Sequence, residues 1–121
     1  ACVVALGHTA TGVLGVDQKL VDEVLAAGNA SGERGWQLPL WDDYSELMQS
    51  DVADVKNAGG RWAGAITAAA FLKEFVGDYP WVHLDVAGTA YSETDLGFIP
   101  KGPTGVPVGT FVQFLRTRCG N

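Results

Sequence analysis

The stretch Trp81-Val-His-Leu-Asp-Val-Ala-Gly-Thr-Ala90 predicts a buried strand that ends in a glycine-containing turn. Apolar residues dominate its first half, and Gly88 permits a sharp change of chain direction. The alanine-rich segment 63–76 precedes it and is predicted to be a helix, because alanine has the highest helix propensity. A helix followed by a buried strand is typical of layered α/β proteins.

The N-terminal third of the chain continues this pattern. Residues 2–6 form a short apolar run rich in valine, which predicts a strand buried on both faces. Residues 13–16 predict a second short strand. Asp17 is placed to cap a following helix, and Gly28 is predicted to end that helix.

The remaining segments predict short or irregular structure. Residues 36–41 are extended and contain a proline, and residues 42–49 predict a short helix with acidic residues in its first turn. Residues 89–103 predict an irregular connection, long enough to be functional or to contact a partner. Thr104 is predicted to cap a last helix. That helix is expected to have Pro107 in its first turn and to turn Val108, Val112 and Leu115 inward.

Composition points to one globular domain. Of 121 residues, 47% are hydrophobic and 18% are charged, and the net charge is −6. The chain has no apolar run of membrane-spanning length and no basic cluster, so neither a membrane nor nucleic acid is indicated as a partner. Cys2 lies in an apolar run and Cys119 in a polar tail, so a disulfide is not expected and a reducing cytoplasm fits.

His83 and Asp85 are the first candidates for chemistry. They lie on one face of the predicted strand, because strand side chains alternate with a period of two. A metal site needs several converging ligands, and the chain has only two histidines. We therefore favour a scaffold role, in which Asp85 accepts hydrogen bonds from a loop backbone and His83 is partly buried. The alternative, a pair of metal ligands, stays open.

A glycine-bearing loop is the second candidate. Residues 57–61, Asn-Ala-Gly-Gly-Arg, expose backbone N–H groups before the alanine-rich helix, and Lys56 and Arg61 flank the glycines. The loop could hold an anionic or carboxylate group. It could equally be a tight turn that docks the helix.

Four segments in order resemble a known family. They are residues 1–12 (Ala-Cys-Val-Val-Ala-Leu-Gly-His-Thr-Ala-Thr-Gly), 54–72 (beginning Asp-Val-Lys-Asn-Ala-Gly-Gly-Arg-Trp-Ala-Gly-Ala), 81–90 and 101–115 (Lys-Gly-Pro-Thr-Gly-Val-Pro-Val-Gly-Thr-Phe-Val-Gln-Phe-Leu). The whole of residues 1–121 resembles the C-terminal portion of the catalytic domain of the leucyl aminopeptidase family. These are cytosolic, two-metal aminopeptidases.

The resemblance implies an α/β fold in which helices flank a mixed β-sheet. It also implies a metallo-exopeptidase that removes N-terminal amino acids, with a leucine-type preference, from peptide substrates. In the complete protein two divalent ions, zinc with manganese or magnesium, would activate a water molecule and polarise the scissile carbonyl. The resemblance further implies a cytoplasmic homohexamer.

The same resemblance implies that the chemistry lies upstream of this segment. The family's Asn-Thr-Asp-Ala-Glu-Gly-Arg motif does not occur in the chain, so we expect no metal ligands and no catalytic residues in it. The 121-residue chain alone is expected to be inactive and to bind no catalytic metal. An alternative is a non-catalytic scaffold or oligomerisation module with the same fold.

Three small residues carry the implied substrate contacts. Ala58, Ala87 and Ala90 match positions that line the pockets for the substrate's first two side chains. Ala90 stands where some members carry methionine, so the resemblance leaves the depth and preference of this pocket open. Gly109 stands where many relatives have a larger residue, and is expected to weaken the last helix by roughly 0.5–1 kcal/mol.

Overall fold

The computed structural model describes residues 1–48 and 62–120. A three-stranded sheet lies at its centre in the order β2-β1-β3. Strand β1 (Thr11–Gly15) pairs in parallel with β2 (Gly35–Gln37) and antiparallel with β3 (Val82–Asp85). The sheet is therefore mixed, as expected.

Helices cover both faces of β1. Residues 1–48 and 62–120 contain five helices, which are α1 (Cys2–Leu6), α2 (Gln18–Ser31), α3 (Asp42–Glu46), α4 (Gly64–Lys73) and α5 (Val108–Arg118). A Cβ on Gly12 would meet Cys2 Sγ of α1 at 3.1 Å, and one on Gly15 would meet Val21 of α2 at 2.8 Å. Because these two glycines face opposite sides of the strand, α1 and α2 lie on opposite faces. The predicted α/β fold with flanking helices is confirmed.

The core is formed by β1, α2 and α4. Val13 and Leu14 of β1 are buried, as are Val21 of α2 and Ala69 of α4. The small side chains of α4 allow that helix to approach the sheet closely. Within residues 1–48 and 62–120, no helix is both long and apolar enough to cross a membrane.

Asp17 begins α2 as predicted. Its carboxylate accepts a hydrogen bond from the Leu20 amide at 3.3 Å. The predicted end at Gly28 is wrong, because the helix continues to Ser31 and Gly32 then adopts a left-handed conformation with φ 78°. Gly28 instead lets the returning chain come close, since a Cβ there would lie 2.5 Å from the Glu33 carbonyl oxygen.

The predicted strand at residues 2–6 is also wrong, because these residues form helix α1. The Ala5 amide donates to the Ala1 carbonyl at 3.2 Å, and the Gly7 amide donates to the Val3 carbonyl at 2.8 Å. Five apolar residues are too few to show a helical or a strand period. Cys2 is buried as predicted, whereas Val4 is 92% exposed, which a strand buried on both faces would not allow.

Helix α5 begins differently from the prediction. It starts at Val108, with Pro107 rather than Thr104 at the N-cap. Glu33 Oε1, which comes from 77 positions earlier, accepts hydrogen bonds from the Thr110 amide at 2.6 Å and the Thr110 hydroxyl at 2.8 Å. A Cβ on Gly109 would meet this carboxylate at 3.1 Å, so the glycine makes room for the contact.

The predicted inward face of α5 is wrong as well. Val108, Val112 and Leu115 are 62%, 49% and 60% exposed, and Thr110 is the residue buried against α2. The contact with Glu33 fixes the rotation of α5 and places Thr110 inward. The irregular connection at residues 89–103 contains a two-residue antiparallel ladder between β4 (Tyr91–Ser92) and β5 (Gly102–Pro103).

Candidate substrate-side site

Residues 86–90, here called the 86–90 turn, follow the carboxyl end of β3. Ala87 is exposed, Ala90 is half-buried and Gly88 is buried. The carboxyl end of β3 and the amino ends of β1 and β2 lie at one edge of the sheet, since β3 runs antiparallel to the other two strands. Two of the predicted substrate-contacting residues are thus presented together at that edge.

Hydrogen bonds within residues 85–90 satisfy three amides of the turn. The Val86 carbonyl accepts from the Thr89 amide at 3.1 Å and from the Ala90 amide at 2.9 Å. Asp85 Oδ1 accepts from the Ala87 amide at 3.1 Å. The sheet residue that precedes the turn therefore also caps it, and the prediction that Asp85 accepts from a loop backbone is confirmed.

The loop after α1 holds the turn from one side. His8 Nδ1 lies 2.9 Å from the Gly88 carbonyl oxygen. A carbonyl can only accept, so Nδ1 carries the proton in this contact. Gly88 packs directly on the backbone of Gly7, and a Cβ at position 88 would collide with the Gly7 carbonyl oxygen. Glycine is required here because two backbones touch.

Two threonines outside the turn, Thr11 and Thr104, also hold it. The hydroxyls of Thr11 and Thr89 lie 2.8 Å apart, and Thr11 is only 3% exposed. The Thr104 hydroxyl donates to the Thr89 carbonyl at 2.6 Å, and the Thr104 amide donates to the Ala90 carbonyl at 2.9 Å. These bonds join the turn to β1 and to the segment before α5.

Cys2 lies next to Asp85, the residue before the turn. Its Sγ is 3.8 Å from the Asp85 carbonyl oxygen, at the limit for a sulfur hydrogen bond. Burial, and then the nearby Asp85 carboxylate, raise the pKa of the Cys2 thiol above its ordinary value of 9.0. Cys2 is therefore a neutral packing residue rather than a nucleophile. Both cysteines are free thiols, and Cys119 is exposed.

The described residues do not fit a metal centre by themselves. No group of three or more His, Cys, Asp or Glu side chains that could hold an ion occurs within residues 1–48 and 62–120. The His83 ring stacks on Trp81, with centroids 6.1 Å apart and an interplanar angle of 23°. His83 and Asp85 are thus each engaged in packing or capping, and we derive no metal-dependent step from these residues.

A cavity of about 500 Å³ lies beside the turn. Thr89 and Tyr91 contribute to its wall, whereas Ala87 and Ala90 do not. Other lining residues include His8, Arg34, Phe98 and Thr104. The predicted substrate-contacting alanines and this cavity therefore belong to separate surfaces that share the 86–90 turn.

The predicted site is only partly within the structure. Ala58 and the glycine loop at residues 57–61 lie outside the described residues. Ala87 and Ala90 are brought together on one turn, and their contact with substrate stays a prediction. The sequence did not identify His8 or Thr104 as residues that hold the turn, because their partners lie 80 and 15 positions away. The signal that could have found them is a polar residue next to a glycine-rich loop.

Comparison with known proteins supplies the family. A family model described as the cytosol aminopeptidase family, catalytic domain, matches residues 1–112. A protein of Geobacter sp. (strain M21) named probable cytosol aminopeptidase is 58% identical over 118 residues, covering 98% of this chain and 24% of the relative. A protein of Roseiflexus castenholzii with the same name is 56% identical over 117 residues, covering 96% and 24%. The chain spans about a quarter of the length of these relatives.

Solved structures agree with the sequence relatives. The bottromycin maturation enzyme BotP superposes with a TM-score of 0.93 at 36% identity, covering 99% of this chain and 27% of that one. BotP in complex with Mn gives 0.92 at 38% identity, with coverage of 98% and 26%. A tomato leucine aminopeptidase mutant gives 0.85 at 42% identity, with coverage of 93% and 22%. The chain belongs to the cytosol aminopeptidase family.

Proposed function

We propose that this chain is the C-terminal portion of the catalytic domain of a metal-dependent aminopeptidase, and that it forms a wall of the substrate pocket. The complete protein would remove N-terminal amino acids, with a leucine-type preference, from peptides. The observation that carries the proposal is the 86–90 turn, which presents Ala87 and Ala90 on a backbone fixed from two sides. A leucyl side chain needs volume and an apolar wall, and two alanines provide both.

The metal centre is proposed to come from other parts of the complete protein. The relatives are about four times as long as this chain, and one structural neighbour was solved in complex with Mn. Two divalent ions, zinc, manganese or magnesium, are the proposed cofactors. The role proposed for the described residues is to bind and orient the substrate, with no catalytic group among them.

The cellular setting is likewise proposed. The name cytosol aminopeptidase, carried by the relatives, supports a cytoplasmic location. A homohexamer is proposed for the complete protein. Large apolar side chains such as Phe98, Tyr79 and Phe75 are 83%, 79% and 70% exposed, and either the rest of the complete protein or another copy of it would remove this apolar surface from water. Sedimentation of the complete protein would measure the assembly directly.

Hydrolysis of leucyl-p-nitroanilide tests the proposal. The assay compares the 121-residue chain with the complete protein, each with added manganese or zinc. We expect turnover only from the complete protein. Equal activity in both would overturn the proposed division of roles. No activity in a complete protein that binds no zinc by isothermal titration would favour a non-catalytic scaffold instead.

A further inference from the structure

We propose that His8 and Thr104 are positioning residues that set the depth of the pocket for the substrate's first side chain. They would do so by holding the 86–90 turn from two sides. This inference rests on the proposed function, because it assigns a role in choosing which N-terminal residue is accepted. Neither residue is placed in contact with substrate.

Three consecutive carbonyls of the turn are held from outside it. The Gly88 carbonyl accepts from His8 Nδ1 at 2.9 Å, the Thr89 carbonyl from the Thr104 hydroxyl at 2.6 Å, and the Ala90 carbonyl from the Thr104 amide at 2.9 Å. The amides of Ala87, Thr89 and Ala90 bond within residues 85–90. Hydrogen bonds within residues 85–90 therefore set the conformation of the turn, and hydrogen bonds from outside it set its position relative to the rest of the fold.

The external bonds come from two different parts of the fold. His8 belongs to the loop between α1 and β1, 80 positions before its partner. Thr104 lies between β5 and α5, and its hydroxyl also accepts from the Val106 amide at 3.2 Å. A shift of either part would move the turn, because polar groups in a half-buried setting keep their partners.

A small movement of this turn would change selectivity. Ala87 and Ala90 have only methyl side chains, so the position of their backbone sets the shape of the wall. One methylene in an apolar pocket changes discrimination by about 10-fold to 200-fold. Loss of one hydrogen-bonded anchor would let the pocket wall move back by a fraction of the length of one methylene group. The ratio of kcat/KM for phenylalanyl to leucyl substrates should therefore rise about 5-fold.

The experiment uses the complete protein loaded with manganese. The kcat and KM for alanyl-, leucyl- and phenylalanyl-p-nitroanilide are measured for each variant, with thermal unfolding recorded in parallel. For His8, asparagine can place an amide N–H near the position of Nδ1, whereas glutamine places it near the position of Nε2. His8→Asn should behave like the wild type, and His8→Gln should shift selectivity as His8→Ala does.

Thr104 is tested by a second pair. Thr104→Val keeps the side-chain shape and removes the hydroxyl, so the ratio of kcat/KM for phenylalanyl to leucyl substrates should rise. Thr104→Ser keeps the hydroxyl and should have the wild-type ratio. The matched controls are His83→Ala, in which the lost ring stacks on Trp81, and Thr117→Val, in which the lost hydroxyl accepts only from Gln113 at 3.4 Å on exposed α5. Neither control should change the ratio.

The outcomes separate this inference from the proposed function. A raised ratio in His8→Gln and Thr104→Val, with wild-type ratios in His8→Asn and Thr104→Ser, would support it. Unchanged ratios in all four, with lowered melting temperatures, would show that the anchors are structural only and would overturn it. A complete wild-type protein that hydrolyses none of the substrates would remove the proposed function, and this inference with it.

Discussion

Two neighbouring segments are held in opposite ways. They are the 86–90 turn and residues 91–103, which form the rest of the irregular connection and are here called the excursion. The turn is bonded to His8, Thr11 and Thr104, which lie elsewhere in the chain. The excursion is bonded mainly to itself, as where Ser92 donates to Thr94 and the Leu96 amide donates to Ile99. Distant anchors fix a segment relative to the sheet, and local bonds fix only its shape. We therefore expect the excursion to open more readily than the turn.

Hydrogen exchange should show the largest difference between the two segments. Amides in the turn are expected to exchange roughly 100-fold more slowly than those of residues 93–100, because opening the turn breaks contacts to three other parts of the fold. Mass spectrometry of peptic peptides from the native protein measures both rates. Equal rates would contradict the contrast.

Two glycine substitutions should separate the turn from the excursion, since Gly88→Ala disturbs the turn and Gly97→Ala disturbs only the excursion. Gly88→Ala places a methyl group on the Gly7 carbonyl, and such overpacking is expected to lower the free energy of unfolding by about 1–3 kcal/mol. Gly97→Ala is the control. Its Cβ would meet nothing within 4 Å, and its φ of 84° costs about 1 kcal/mol through backbone strain alone.

Urea denaturation measures both glycine variants. The activity of the complete protein separates them further, since only Gly88→Ala should lower kcat/KM. An equal loss of activity in Gly97→Ala would mean that the excursion also shapes the site.

A hydroxyl deletion should have a smaller effect of the same kind. Thr11→Val keeps the shape of a buried side chain but leaves the Thr89 hydroxyl without its partner, which costs about 1–2 kcal/mol. Ser92→Ala removes an exposed local bond to Thr94 and should change stability by less than about 0.5 kcal/mol. Similar losses in the two variants, again measured with urea, would argue against distant anchoring.

Alkaline pH should have the smallest effect. The folded pKa of Cys2 is raised, so its contribution to stability is complete below the unfolded value of 9.0 and is lost as pH rises through the folded value. A thiolate at Cys2 would also repel Asp85. The free energy of unfolding should fall above pH 9 more steeply in the wild type than in Cys2→Ala. Equal slopes of the free energy of unfolding against pH in the two proteins would show that Cys2 does not contribute to this pH dependence.

The sequence predicted those features whose causes are local. Asp17 was identified as a cap because its partner is the amide of Leu20, three residues on. Residues 2–6 were misassigned, because a five-residue apolar run carries no period. Thr104 was misassigned as a cap, because its hydroxyl bonds to Thr89 across the β4–β5 hairpin. Contacts made only after the chain has folded back cannot be inferred from local pattern.

The first turn of helix α5 shows how a contact between residues far apart in sequence constrains which substitutions the chain can accept. The Glu33 carboxylate accepts from the first turn of α5 beside Gly109, where an added Cβ would lie 3.1 Å from it and force it to shift by a few tenths of an ångström. Gly109 was expected to be a weakness of the helix, yet it accommodates the group that caps it. Positions 33 and 109 should therefore covary. A relative with a bulkier residue at 109 should place its acceptor at 33 differently, and exchanging either residue alone between relatives should weaken the contact of residue 33 with α5.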